Sequence, residues 1–384
     1  MSDRATAANP EVLVWARERA GLTLSDVASH FNKTPEQVAA WESGEDWPTF
    51  NQLDRLAKAI YHRPVALFFL PEPPEEAAPE QEFRTLPDFD VAHLKADTRL
   101  AVRLGRAYQD SLRELTGGTN PANKQLLREL KLTVSSGPVM VAKSVRDYLG
   151  VSLGEQSSWR GSSGAMANWR TAVEEAGVFV FKRSFKQKEV FGFCLEDDVF
   201  PIIMVNNGAT FTRQVFTLFH ELAHLLAGVS SITTMDGSFV ERMSGPSRRV
   251  EVACNQFAAE FLVPAESFPW SDVNRDDLER SIEEIARWYN VSREVILRRI
   301  LDRGWVDSAT YDEYVTKWAG DGGGREGEGG NYYYNQATYL GGSYLRLAFS
   351  RYRAGLIPLS ELADHLGVKA KNVGQLESTV AGRL

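Results

Sequence analysis

The chain has 384 residues, 43% hydrophobic and 24% charged, with a formal net charge of −8 and a pI near 5.5. That length suggests two or three domains with sizeable cores, and the acidic balance excludes a nucleic-acid binder that is basic throughout, though not one small basic face. Its 2 cysteines, Cys194 and Cys254, cannot build a disulfide framework; no apolar run reaches membrane-spanning length and Met1-Ser2-Asp3-Arg4 does not open a signal peptide, so a cytoplasmic protein with no membrane partner is expected.

Residues 10 to 70 read as short helices joined by tight turns. The first runs from Glu11 to Ala20 and stops at Gly21. Thr23 opens a second, and Thr34 followed by Pro35 opens a third as N-cap and first helical residue. Gly44 closes the third, and a fourth covers Phe50 to Ile60. Short helices with such turns fit a helix-turn-helix domain. The W-E-x-G of Trp41 to Gly44, with Pro48, resembles the Cro/C1-type repressor family. That resemblance implies that helices two and three read DNA and that Lys33, Thr34, Gln37 and Ala40 face the groove. Charge speaks against tight binding: residues 10–64 hold six Lys and Arg but eight Asp and Glu, and DNA affinity rests largely on neutralised phosphates. A helix-turn-helix retained for docking or dimerisation is the competing expectation.

Residues 71–87 begin with Pro71-Glu-Pro-Pro-Glu-Glu and read as an extended, solvated linker. Residues 88–163 read as a helical connecting region that carries no chemistry. Leu94, Leu100, Val102, Leu104, Tyr108, Leu112 and Leu115 supply its apolar face, which Gly117-Gly118 ends, and a further helix runs from Val141 to Leu149.

Residues 164–270 read as a core in which a helix (Ala165–Ala176) leads into β-rich runs at 177–181, 190–195 and 199–205, with a turn at Asp197-Asp198. A helix follows in which Phe211, Val215, Leu218, Leu222 and Leu225 form one stripe, ended by Gly228. Inside it stands His220-Glu221-Leu222-Ala223-His224. Four residues apart on a helix, the two imidazoles leave one face and can grip one zinc ion. Glu221 can then take a proton from a water that the metal acidifies. A third ligand is needed, and no His follows before His365. The next helical stretch, Val250 to Pro264, offers Glu251 and Glu260, with Glu251 preferred because it opens that helix; Cys254 on the apolar face fits core better than ligand. Residues 229–250 read as a loop in which Thr233, Thr234 and Ser244 are possible substrate contacts but more simply filler. Arg213, Arg248 and Arg249 read as surface charges.

The H-E-x-x-H followed by Glu251-x-x-x-Asn255-x-Phe257-Ala258-Ala259-Glu260-Phe261-Leu262-x-Pro264 resembles the ImmA/IrrE family of bacterial metallo-endopeptidases. The resemblance implies zinc held by His220, His224 and Glu251, with Glu221 as general base. It further implies a protein substrate, a helix-turn-helix repressor or antitoxin-like partner whose cleavage switches on stress-response or mobile-element genes. A DNA-binding regulator whose peptidase fold only senses or docks a partner is the alternative.

Residues 271–319 read as a helical extension in which 278–299 has a helix-turn-helix pattern, assigned first to packing. Residues 320–330 form a Gly-rich linker. Residues 331–384 read as a C-terminal helical domain, with helices at 339–355 and 358–366, helix-turn-helix character over 360–368, and a tyrosine run at 332–334 that could stack on a base or pack on the core. The fold class expected is α+β and mainly helical: an N-terminal helix-turn-helix bundle, a zincin-like core with a small sheet, and a helical C-terminal extension.

Overall fold

The computed structural model describes residues 3–76, 94–133, 137–234, 245–321 and 331–381. Most of both expected linkers, at 77–87 and 322–330, and the candidate contact Ser244 lie outside the described residues. The fold is α+β and mainly helical, as expected. No helix among the described residues is long and apolar enough to cross a membrane. Two compact units divide the chain, Met1–Leu104 and Gly105–Leu384.

The first unit is built on caps. Helices α1 (Pro10–Arg19), α2 (Leu24–Ser29), α3 (Pro35–Ser43) and α4 (Phe50–Arg55, prolonged by a π-turn over Leu56–Ile60) follow one another. Thr23, Thr34 and Thr49 each form a capping box with Asp26, Gln37 and Gln52, three residues on. An N-cap of this kind contributes about 1 kcal/mol. The hydrogen bonds from Thr23 hold the Asp26 carboxyl below its ordinary range. Val12, Leu13, Val27, Val38, Trp41 and Leu53 are buried together. Arg17 grips Glu42 through two hydrogen bonds of 2.8 and 2.9 Å, which raises the guanidinium pKa.

The second unit takes over helix α5 (Ala96–Thr116) from Gly105. It continues through α6 (Leu126–Glu129), α7 (Pro138–Leu149), α8 (Leu153–Ser158) and α9 (Gly161–Glu175). A four-stranded sheet follows: β1 (Phe179–Arg183), β2 (Val190–Leu195) and β3 (Ile202–Asn206), with β4 (Ser231–Thr234) added after helix α10 (Phe211–Leu226). The order is β1-β3-β2-β4; β1 lies parallel to β3, and β2 is antiparallel to both β3 and β4. Alternation sorts the side chains to two faces. Leu195, Ile202 and Phe193 meet Gly105, and Phe181 stacks on Tyr108 with centroids 4.2 Å apart. Val180, Cys194, Ile203 and Val205 face the main core with α10 and helix α11 (Gly245–Leu262). In that core Phe219 of α10 stacks on Phe261 of α11 at 3.9 Å, and Trp169 of α9 meets both rings edge-on, fixing the three helices to one another.

Helices α12 (Leu278–Tyr289), α13 (Arg293–Asp302) and α14 (Ser308–Asp321) extend the core. After the linker come α15 (Tyr332–Leu340), α16 (Gly342–Arg353), α17 (Leu359–His365) and α18 (Val373–Val380). Three expectations are corrected here. The stretch read as a loop at 229–250 contains β4 and the first turns of α11. Glu251 is therefore not in the first turn of its helix but at the end of the second. The helix expected at 339–355 is two helices broken at Gly341, whose φ of 83° a side chain disfavours.

Candidate metal centre

Helix α10 starts at Thr210, whose hydroxyl accepts the Arg213 N–H. It lies against the sheet at a distance set by Gly192: a Cβ there would stand 2.5 Å from Thr217 Cγ2 and 2.8 Å from the Met204 carbonyl. The apolar stripe goes into the core and carries both histidines with it. His220 is 2% exposed, His224 0% and Glu251 5%.

The structure brings the three expected ligands together. His220 Nε2 and His224 Nε2 are 3.1 Å apart, His224 Nε2 lies 3.1 Å from Glu251 Oε1, and His220 Nε2 lies 3.4 Å from Glu251 Oε2. These three residues form a buried group able to hold a metal ion. Bonds of about 2.0–2.2 Å to tetrahedral zinc require ligand atoms about 3.3 Å from one another. The observed triangle has that size, and the donor set of two imidazoles and one carboxylate suits the ion. Burial alone would lower the His220 pKa, but the Glu251 carboxylate bonded to it, with the Glu221 charge, holds it above its ordinary value. Burial would raise Glu251, yet His224 and His220 hold it far below the ordinary carboxylate range. The pocket is thus arranged for positive charge beside a carboxylate.

Glu221 points elsewhere. It is 0% exposed and accepts hydrogen bonds from Ser231 Oγ and Thr233 Oγ1 of β4, each 2.5 Å long. Ser231 Oγ also lies 3.4 Å from Cys194 Sγ, and burial, with the Glu221 charge, pushes that thiol well up. Neither Ser231 nor Cys194 stands out in the sequence as a site residue, and Thr233 does so only as a substrate contact. The available signal is the β-branched pair Ile232-Thr233, a short strand pattern that the surrounding Gly, Ser and Thr obscure.

The rejected candidates have other partners. Glu260 Oε1 accepts the Ala265 N–H at 3.0 Å and Oε2 accepts from Arg299 at 2.6 Å, so it ends α11 and holds α13. Cys254 is fully buried, and burial pushes its thiol up. Arg213 is not a free surface charge: it pairs with Glu294 at 3.0 Å and lies over the Phe191 ring. Arg248 and Arg249 are exposed.

In the first unit, Thr34 and Gln37 are exposed, while Lys33 and Ala40 are half-buried. Lys33 Nζ sits 5.4 Å from the centre of the Trp41 ring, and Gln37 Oε1 accepts the Thr34 N–H. Three of the four groove-facing candidates, Lys33, Thr34 and Gln37, therefore have structural partners of their own.

No curated protein matches the chain. Residues 13–60 match the helix-turn-helix family model. Residues 173–301, which contain His220, Glu221, His224 and Glu251, match the peptidase family model described as the IrrE N-terminal-like domain. The chain thus joins a helix-turn-helix domain to an IrrE-like peptidase domain, the architecture that its two motifs imply.

Proposed function

We propose that the chain is a zinc-dependent endopeptidase acting on a protein partner, a helix-turn-helix repressor or antitoxin-like protein, and thereby controlling stress-response or mobile-element genes. The observation that carries this reading is the buried group of His220, His224 and Glu251 beside a second buried acid, Glu221. Zinc held by those three would supply a Lewis acid that polarises a carbonyl and acidifies water. Glu221 is the general base: its carboxylate accepts the proton of the attacking water and delivers it to the departing amine. Ser231 and Thr233 aim that carboxylate, and each of its oxygens keeps a further lone pair for the proton. Among the described residues strand β4 pairs with β2 alone, and an extended substrate could add along its other edge.

A second reading, a DNA-binding regulator whose peptidase fold docks a partner without cutting it, is favoured by the helix-turn-helix match at 13–60. Co-expression with a neighbouring-gene repressor separates the two. Glu221→Gln should keep its zinc and lose roughly two to four powers of ten in cleavage, the usual contribution of a general base. Equal cleavage by both proteins would sink the mechanism. Partner binding without cleavage by the zinc-loaded wild type would favour docking.

A further inference from the structure

The turn between α2 and α3 occurs three times in this chain. In the first, the Lys33 N–H donates to the Ala28 carbonyl at 3.1 Å across Asn32, whose φ is 52°. In the second, the Val291 N–H donates to Ala286 at 3.0 Å across Asn290, at 56°. In the third, the Val368 N–H donates to Ala363 at 3.0 Å across Gly367, at 62°. Side chains keep the same register. The residue before each Ala is buried (Val27, Ile285, Leu362), and so is the residue ten after it (Val38, Ile296, Val373). All three are helix-turn-helix units by backbone and core, although the family model matches the first alone among them as such.

Their second helices differ in what they present. In the middle unit Val295, Ile296, Leu297 and Ile300 are buried in the peptidase core and Glu294 is paired with Arg213, so α13 is taken up by packing. In the first unit Glu36 and Gln37 are exposed, and Gln37 serves the cap. In the last, Lys369, Lys371, Gly374, Gln375 and Ser378 are exposed. The shared register puts Lys371 where the first unit has Glu36, and Gln375 where it has Ala40. The Lys369 and Lys371 side chains form no ion pair among the described residues. Together with Tyr332, Ser360, Asp364 and Asn372 they line an open groove of about 1050 Å³. Residues 331–381 hold five Lys and Arg against three Asp and Glu, in a chain whose formal net charge is −8.

We propose that Leu359–Val380 is a second DNA-reading unit. Its α18 lies in the major groove of duplex DNA, Lys369 and Lys371 neutralise phosphates, and Asn372 and Gln375 face base edges, where amide side chains pair with adenine. Within Leu359–Val380 the acids Glu361, Asp364 and Glu377 outnumber the two lysines. The helix-turn-helix register and the exposed lysines at its second helix, rather than net charge, therefore select duplex DNA over a protein partner. The assignment holds whether or not the metal centre cuts peptides. Residues that no family match assigns to DNA then carry more of the binding than the N-terminal unit does.

The test uses the full chain and a fluorescein-labelled duplex of mixed sequence, read by anisotropy over a salt series. Replacing both lysines (Lys369→Gln with Lys371→Gln) should weaken binding roughly tenfold at moderate salt and lower the salt slope by roughly 2, one for each phosphate no longer neutralised. Lys33→Gln should change both less. Selection from random duplexes should show an altered base preference for Gln375→Ala at an unchanged slope. Both lysines are exposed, and an unchanged circular dichroism melt checks that the variant is folded. An unchanged slope in the double variant, no duplex binding by the wild type, or equal competition by single-stranded DNA would each overturn the proposal. So would a protein partner captured through these lysines by a chain that binds no duplex.

Discussion

Helix α11 holds two buried glutamates, and the two do different work. Glu251 is 5% exposed and Glu260 7%. Glu260 has a guanidinium and a backbone N–H on its oxygens, so its charge and its hydrogen bonds are satisfied within the protein. Glu251 faces two imidazole nitrogens that also face each other at 3.1 Å. Imidazole nitrogens and a carboxylate are ligands that one metal ion can share, whereas Glu260 already pairs with a permanent cation. Burial and residue type are alike at the two positions; the partner's chemistry tells a metal ligand from a structural acid.

The largest effect expected from breaking this contrast is on metal affinity. Glu251→Gln should reduce zinc affinity by more than the roughly 10–100-fold that follows loss of an outer partner, measured by competition with a chelator. Zinc affinity unchanged in that variant would return the ligand assignment to Glu260 or another group. Glu260→Gln should do the converse. Its zinc content should match wild type, while unfolding free energy falls by about 3 kcal/mol because Arg299 is left buried and uncompensated. A denaturant titration beside a metal assay gives both numbers. A smaller effect is expected at β4. Ser231→Ala with Thr233→Val should lower kcat roughly tenfold at unchanged zinc content, and Thr233→Ser should restore most of its share, since the hydroxyl is what Glu221 uses. Equal kcat in the double variant would show that the pair does not aim the base.

The smallest effect is on the pH dependence of stability in metal-free protein. Glu251 has a lowered pKa, so its contribution is present above about 4.3 and lost as pH falls through its folded value. His220 has a raised pKa, so its contribution is present below about 6.5 and lost as pH rises through its folded value. Chelated protein should therefore lose thermal stability as pH rises above about 6.5 and through the folded value of His220. Zinc-loaded protein, with the ion in place of the proton, should lose less, and parallel curves for the two forms would contradict the pairing.

Local pattern made the ligand set readable. The four-residue spacing of His220 and His224 needs only a helix, and the stripe from Phe211 to Leu225 specifies that helix. The caps at Thr23 and Thr34 are equally local. Glu251 needed more, because its position only favoured it over Glu260, and for a reason the structure corrects; the structure gives Glu260 other partners and brings Glu251 to the histidines. Ser231 and Thr233 were beyond reach: their role depends on a four-residue edge strand paired to β2 across 35 or more residues of chain, and no period in so short a run declares it. The threefold helix-turn-helix register was visible as pattern at 278–299 and 360–368. Only backbone angles and exposure show that one copy is taken up by packing and another is open.

Arg170 gives the C-terminal tail a mechanical connection. Its guanidinium donates to the Thr338 carbonyl at 2.8 Å, to Tyr339 and to Val180 of β1, while Nε holds Glu174 at 2.9 Å. Gly341 lets it in: a Cβ there would sit 2.0 Å from Nη2. The tail is thus sutured to the sheet here, beside the contact of Tyr344 with the Phe181 ring at 5.3 Å, and this stitch is tied around a hydrogen atom where any other residue would carry carbon. That stitch reaches β1, one edge of the sheet whose other edge is the strand that holds Glu221. A single methyl group at position 341 would press on that guanidinium and, at a φ of 83°, strain the backbone as well.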